Sequence, residues 1–173
     1  MKVAAVLAAG ATLVAAPATA EVVTRSPDGF ALKFSTELQA SPADLSATVR
    51  DLPKWWDPAH TYTGDGANLS LALEPGGCWC ETLADGTRFE HGRLVSITPE
   101  RIILRAPLGP LHAMATGAAL TFSVERDSAG SRLVMDFVVD GPGVGAMADP
   151  VDGVMDGAFD RLVHHIETGA PQP

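Results

Sequence analysis

From Val151 onward the chain changes its hydrophobic period. Val151, Val154, Met155, Ala158, Phe159, Leu162, Val163 and Ile166 recur every three or four residues, whereas the preceding hundred residues alternate in short runs broken by turn signals. A series of strands that ends in one long amphipathic helix must bury the apolar stripe of that helix against the sheet. Asp152, Asp156, Asp160, Arg161 and Glu167 lie mostly off the stripe, and Gly169 is a natural stop, so the helix is expected over about 149–168. A closed barrel seldom has room for such a helix, and the expected architecture is therefore α+β, with a curved antiparallel sheet wrapped around it. Gly153 and Gly157, four residues apart, share a face on which a strand or a ligand could approach closely.

The strands can be read from alternation. Phe30, Leu32, Phe34 and Thr36 fall on one face of segment 29–38 and Ala31, Lys33, Ser35 and Glu37 on the other, which predicts a half-buried first strand. Ser41, Pro42 and Asp44 then read as a helix entry, with a capping hydroxyl, proline at the first helical position and an acid at the third. That helix is short, because Pro53 follows closely. Further strands are expected at 68–73, 78–83, 88–97, 101–106, 118–125 and 132–140, with Asp85-Gly86 as a hairpin signal. Strands so closely spaced are most economically an antiparallel meander.

Residues 1–20 combine Lys2, an apolar stretch from Val3 to Ala16 and the small-residue site Ala18-Thr19-Ala20. This is the pattern of a cleaved signal peptide, and the stretch is shorter than the roughly 20 residues a membrane span needs. The mature chain is expected to be 21–173, one domain, in the periplasm or secreted, with no stable membrane span. The 173 residues carry a net charge of −9, and loss of Lys2 makes the balance one unit more negative. No basic patch opposes that charge, so nucleic acid is not an expected partner. No Gly-rich phosphate loop, HExxH helix or nucleophile elbow is present, and no cofactor or metal is expected.

The order of strand, short helical segment, meander and closing helix resembles the START-like superfamily, also called SRPBCC or Bet v 1-like, and within it the branch of polyketide cyclases and heat-shock ATPase activators. The resemblance also rests on WWDPAHTYTGDGANLSL at 55–71, EPGGCWCE at 74–81, HGRLVSITPERIILRAPLGPL at 91–111 and VDGVMDGAFDRLVHHIETGAP at 151–171. It implies a helix-grip fold that encloses a deep, largely apolar cavity, and relatives that bind lipids, sterols or polyketides, cyclise them, or bind a chaperone. Export argues against the chaperone role.

Adjacent large aromatics cannot point the same way, so one of Trp55 and Trp56 is expected in the core while the other faces a cavity and offers its N–H to a ligand. Tyr62 is a candidate rim donor. Leu108, Leu111 and Met114, in a segment constrained by Pro107, Gly109 and Pro110, form a candidate cavity wall or gate. Met147 together with Met155 and Phe159 of the helix stripe completes a candidate apolar lining. Cys78 and Cys80, two apart on a strand, share a face. They read as two reduced thiols packed toward the core, as a bulged disulfide, or as part of a metal pair. A disulfide would require distortion, because the separation in an extended strand approaches the limit of about 7 Å.

If the hairpin at Asp85-Gly86 places 80 opposite 91, His91 joins those cysteines or lines the cavity as a polar group, while Glu81 and Glu90 face each other. His60, Glu81, Glu90 and His91 are the candidate acid/base groups. Asp57 could orient His60. The leading expectation is an exported protein that encloses a small hydrophobic or amphipathic molecule. A cyclase- or hydratase-like enzyme using the same cavity, and an interaction domain with a filled core, are the alternatives.

Overall fold

The computed structural model describes residues 19–38, 41–126 and 131–172, with their side chains except at 19–21 and 42. Most of the expected leader, 1–18, lies outside the described residues, as does the predicted turn at 127–130. Eight strands form one sheet: β1 (Thr19–Ser26), β2 (Gly29–Glu37), β3 (Leu69–Leu71), β4 (Cys78–Thr82), β5 (Arg88–Thr98), β6 (Arg101–Arg105), β7 (Gly117–Arg126) and β8 (Ser131–Asp140). Their spatial order is β1-β2-β8-β7-β6-β5-β4-β3, and every neighbouring pair is antiparallel. The meander is therefore continuous from β3 to β8, and β2 returns beside β8 to extend it.

Among the described residues three α-helices complete the fold: α1 (Pro42–Arg50), α2 (Leu52–Trp55) and α3 (Ala148–Thr168). At the start of α1 the Ser41 hydroxyl accepts from the Asp44 amide at 3.2 Å, and the Asp44 carboxylate accepts from the Ser41 amide at 2.8 Å. These reciprocal bonds satisfy two backbone donors that the helix leaves free, and they hold the Asp44 carboxyl below its ordinary pKa. The long helix ends where Gly169 takes a left-handed φ of 69° and donates its amide to His165 O at 2.9 Å. The result is the α+β helix-grip arrangement, with α3 laid against a curved sheet.

The core lies between them. Phe30, Leu32 and Phe34 of β2, Leu120 and Phe122 of β7, and Met135, Phe137 and Val139 near the middle of the sheet are buried with Met155, Ala158, Phe159 and Leu162 of α3. Phe34 and Phe159 meet at 5.9 Å between ring centroids.

Two expectations are corrected. An edge strand, β1, precedes the strand expected to be first, and Thr19 and Ala20 at the end of the expected leader already pair with Ser35 and Phe34. Gly153 and Gly157 face open space instead of a close neighbour: a Cβ built on either meets no atom within 4 Å. The stripe of α3 is also wider than expected, because His165 is buried. Its Nε2 lies 3.1 Å from Asp51 Oδ2 and its Nδ1 3.2 Å from Ala170 O.

Candidate functional site

The two tryptophans diverge as adjacent residues must. Trp55 is 1 % exposed, donates its indole N–H to Thr48 O at 2.8 Å and packs edge-on against Phe122. Trp56, at the end of α2, turns the other way, stands edge-on to Trp79 at 4.8 Å and forms part of a pocket wall. Its N–H is already committed to His60 O at 3.1 Å, so this indole offers a ligand its ring and no free donor.

The pocket has a volume of about 250 Å³. One side is Trp56 and the segment His60, Thr61 and Tyr62; a second is Leu108 to Leu111, where Gly109–Ala113 form a short 3-10 turn; the third is Val151, Val154 and Met155 at the N-terminal half of α3. Phe137 and His91 contribute from the sheet. The lining is mainly apolar, with His60, Thr61, Tyr62 and His91 as its polar members. Tyr62 is 58 % exposed and stands at the rim, stacked on His91 at 5.6 Å and edge-on to Phe89 at 4.5 Å.

Of the residues singled out from sequence, Trp56, Tyr62, His91, Leu108, Leu111 and Met155 come together at this pocket. Trp55, Met114, Met147 and Phe159 are not part of its wall: Trp55 and Phe159 are core residues, and Met114 and Met147 pack against the core. The pocket lies against the first half of α3, while Ala158, Phe159 and Leu162 further along the helix are buried in the core. Phe137, Val151 and Val154 were not singled out individually as lining. Val151 and Val154 belong to the helical stripe, and the inward alternation of β8 was the available signal for Phe137.

Behind the pocket wall lies a buried carboxylate. Glu81 is 0 % exposed. Its Oε1 accepts from the Thr63 amide at 2.6 Å, and its Oε2 accepts from the Tyr62 amide at 3.1 Å and from His91 Nε2 at 2.7 Å. Burial by itself raises the carboxyl pKa, but the bonds from Thr63, Tyr62 and His91 outweigh it and hold the group below its ordinary value. Glu81 is therefore a carboxylate that anchors the 62–63 loop and orients an imidazole.

The sequence reading placed Glu81 opposite Glu90, and the register corrects this. Leu83 and Thr87 close a three-residue loop, with the Leu83 amide donating to Thr87 O at 2.8 Å and Gly86 at a φ of 83°. Glu81 then pairs with Phe89 and Cys80 with Glu90, until the register shifts by one and Trp79 pairs with Gly92. His91 is the extra residue of that bulge. Glu90 lies on the other face, where it ion-pairs with Arg93 and, at 3.6 Å, with Arg105.

Opposite the bulge, Cys78 and Cys80 form a disulfide with their Cα atoms 5.3 Å apart. Cys80 is buried and Cys78 partly so, and neither belongs to the hydrophobic cluster that holds Trp79. Their sulfurs are therefore unavailable as thiolate ligands, and among the described residues no three His, Cys, Asp or Glu side chains converge on a metal site. Asp57 does not orient His60: it caps the Ala59 amide at 2.9 Å and pairs with Arg161 at 3.5 Å. No helix among the described residues is long and apolar enough to cross a membrane.

The arrangement of strands and closing helix recurs in solved structures. Protein NE0264 from Nitrosomonas europaea superposes with a TM-score of 0.57 at 16% identity, over 80% of this chain and 95% of that one. CalU16 from Micromonospora echinospora gives 0.57 at 12% identity, over 89% and 88%. The di-domain ARO/CYC StfQ of the steffimycin biosynthetic pathway gives 0.53 at 12% identity, over 83% of this chain and 52% of that one. The likeness is one of fold. No family model matches the chain, and no curated protein does.

Proposed function

We propose that this chain is an exported binding protein that holds a small hydrophobic or amphipathic molecule in the pocket between Trp56, the Leu108–Leu111 segment and the first half of α3. The observation that carries the reading is the pocket itself: about 250 Å³ of mainly apolar space, bordered at one side by His60, Thr61, Tyr62 and His91, beside a core of buried apolar side chains. Apolar burial supplies affinity at about 25 cal/mol per Å², and a few polar groups set orientation. A solidly packed interaction domain would not leave such a space. The occurrence of the fold in an ARO/CYC of a biosynthetic pathway is compatible with use of the interior for a small molecule. Export is supported by the charged start, apolar stretch and Ala18-Thr19-Ala20 site of the first twenty residues, and by a disulfide that an oxidising compartment would preserve.

Native mass spectrometry of the mature protein, purified without detergent, tests both parts. The expected spectrum has an N-terminus at Glu21 and a reproducible added mass released on unfolding. A chain that keeps residues 1–20 refutes export, and a clean apo mass with no uptake from a panel of small apolar compounds refutes the carrier reading. A second reading, acid/base chemistry of the cyclase or hydratase kind in the same pocket, is favoured by the Glu81–His91 pair, because a carboxylate behind an imidazole is a proton-handling unit. Turnover of a bound compound that disappears in His91→Gln while binding persists would establish it.

A further inference from the structure

The Cys78–Cys80 bond holds together a strand that its neighbours already hold. β4 is laddered on both sides: Glu81, Cys80 and Trp79 pair with Leu69, Ser70 and Leu71 of β3, while Cys78, Trp79 and Cys80 pair with Arg93, Gly92 and Glu90 of β5. The bond joins residues two apart in sequence. It closes the shortest of loops, removes little entropy from the unfolded chain and so contributes little to the fold. By the same thermodynamic cycle its reduction costs the fold little, which is the condition for a disulfide that exchanges with thiols and not for a structural staple.

The two sulfurs are not equivalent. Cys78 is partly exposed and Cys80 is buried. An incoming thiolate therefore meets Cys78, and Cys80 is the leaving sulfur. The ladder also brings charge to the pair. Arg93 is the partner of Cys78, and its Nη1 donates at 2.6 Å to the carbonyl of Gly76, two residues before that cysteine. Arg105 pairs with Arg93 from β6, and Arg88 donates at 3.2 Å to the hydroxyl of Ser70, the residue paired with Cys80 from β3. Glu90, which ion-pairs with Arg93 and Arg105, offsets one of these charges and leaves a positive surplus. In a chain of net charge −9, arginines that are scattered in sequence are thus gathered by register around the two cysteines. A neighbouring guanidinium favours a thiolate over a thiol, and a local positive surplus draws an anionic reactant.

We propose that Cys78–Cys80 is a thiol–disulfide exchange site that oxidises pairs of cysteine thiols flanked by carboxylates. One substrate thiolate attacks Cys78 Sγ; the Cys78–Cys80 bond breaks, and its electron pair leaves on Cys80 Sγ, which takes up a proton. The second substrate thiolate attacks the substrate sulfur of the mixed disulfide and expels Cys78 as a thiolate beside Arg93. Two electrons pass from the substrate dithiol, which becomes a disulfide, to the cysteine pair, which becomes a dithiol. A small-molecule disulfide such as oxidised glutathione restores the starting state by the reverse exchange. The site uses no part of the apolar pocket, so failure of either reading leaves the other untouched.

The test mixes the mature, disulfide-intact chain with a reduced peptide that carries two cysteines among aspartates, and with the same peptide carrying lysines in their place. Acid quenching, alkylation of free thiols and mass spectrometry count what is transferred. Under native conditions one peptide disulfide should form for each protein disulfide lost. Each rate is divided by that of the same peptide with uncharged 2-hydroxyethyl disulfide, which cancels intrinsic thiol reactivity; the aspartate peptide should then react about tenfold faster than the lysine peptide, and Arg93→Gln should reduce that preference. With oxidised glutathione, Cys80→Ser should form a mixed disulfide at Cys78 faster than Cys78→Ser does at Cys80. A wild-type bond that the peptides reduce only after unfolding in urea, or equal corrected rates for the two peptides, overturns the proposal, and neither result depends on the folding of a variant. Faster capture at Cys80 than at Cys78 overturns it as well.

Discussion

Replacing Glu81 by Gln tests whether the buried carboxylate organises the site. The amide keeps one acceptor oxygen and presents an NH₂ at the other position. With the oxygen at the Oε2 position the Thr63 amide loses its partner; with the oxygen at Oε1 the Tyr62 amide does, and His91 must turn over its tautomer. Either way a bond to a charged acceptor, about 1.5–3 kcal/mol, is exchanged for a donor facing a donor at a fully buried position. After partial relaxation of the 60–66 loop the expected loss is about 2–4 kcal/mol, or a Tm lower by about 5–15 °C for a chain of this size. Urea unfolding measures the first, and amide hydrogen exchange at Tyr62 and Thr63 should speed up selectively. The loss should also depend on pH. The folded carboxyl pKa is depressed, so its contribution is fully present above the unfolded value of about 4.3 and disappears as pH falls through the folded value. The gap between wild type and Glu81→Gln should therefore be widest near neutrality and close in acid. A Tm change under about 2 °C, unchanged exchange at the two amides, or a gap constant from neutrality into acid would refute the argument.

Three further outcomes follow from the same contacts. Gly153→Ala and Gly157→Ala should each stabilise the chain by about 0.5–1 kcal/mol, because a Cβ at either helical position meets nothing within 4 Å; thermal unfolding of the single variants checks this. Cys78→Ser/Cys80→Ser should lower stability by only about 1.5 kcal/mol in urea, since residues two apart close the shortest of loops and chain entropy scales with loop length. Trp55→Ala should lower stability by about 3–5 kcal/mol through loss of a fully buried ring, whereas Trp56→Ala should weaken uptake of the small apolar compounds that wild type binds by more than tenfold with a smaller stability change; equal effects of the two on both assays would contradict the division of roles.

What could be read from the sequence follows from how local each determinant is. The β2 alternation and the Ser41–Asp44 cap depend on residues within a few positions, and both appear as read. The stripe of α3 is also local, although the burial of His165 depends on Asp51, 114 positions away. β1 escaped because its Val22 and Val23 are both exposed and a bulge interrupts its register between Val22 and Thr24, which leaves no buried face to impose alternation. At the site, the opposed directions of Trp55 and Trp56 were legible from adjacency. The Glu81–His91 contact was not, because it depends on whether the hairpin loop has three residues or four and on a bulge several residues further on. A loop one residue longer would move Glu81 opposite Glu90, and the bulge beyond Cys80 is what makes His91 the inserted residue.

The bulge is also why this end of the sheet is not filled like the rest. Directly paired residues share a face, so Phe89, opposite Glu81, and Gly92, opposite Trp79, both look inward, while Glu90 and Arg93 look out. Regular alternation would put either His91 or Gly92 inward, not both. The inserted residue lets β5 present a polar ring and, next to it, no side chain at all. A Cβ at Gly92 would come within 2.8 Å of Arg105 O and 2.9 Å of Ala106 Cβ, so the strand that leads into the Leu108–Leu111 wall can approach only because glycine stands there. On β4, across from the bulge, Cys78 and Cys80 are joined with their Cα atoms 5.3 Å apart. What β5 gives the pocket, the His91 ring beside an unsubstituted Gly92, thus depends on one extra residue in that strand.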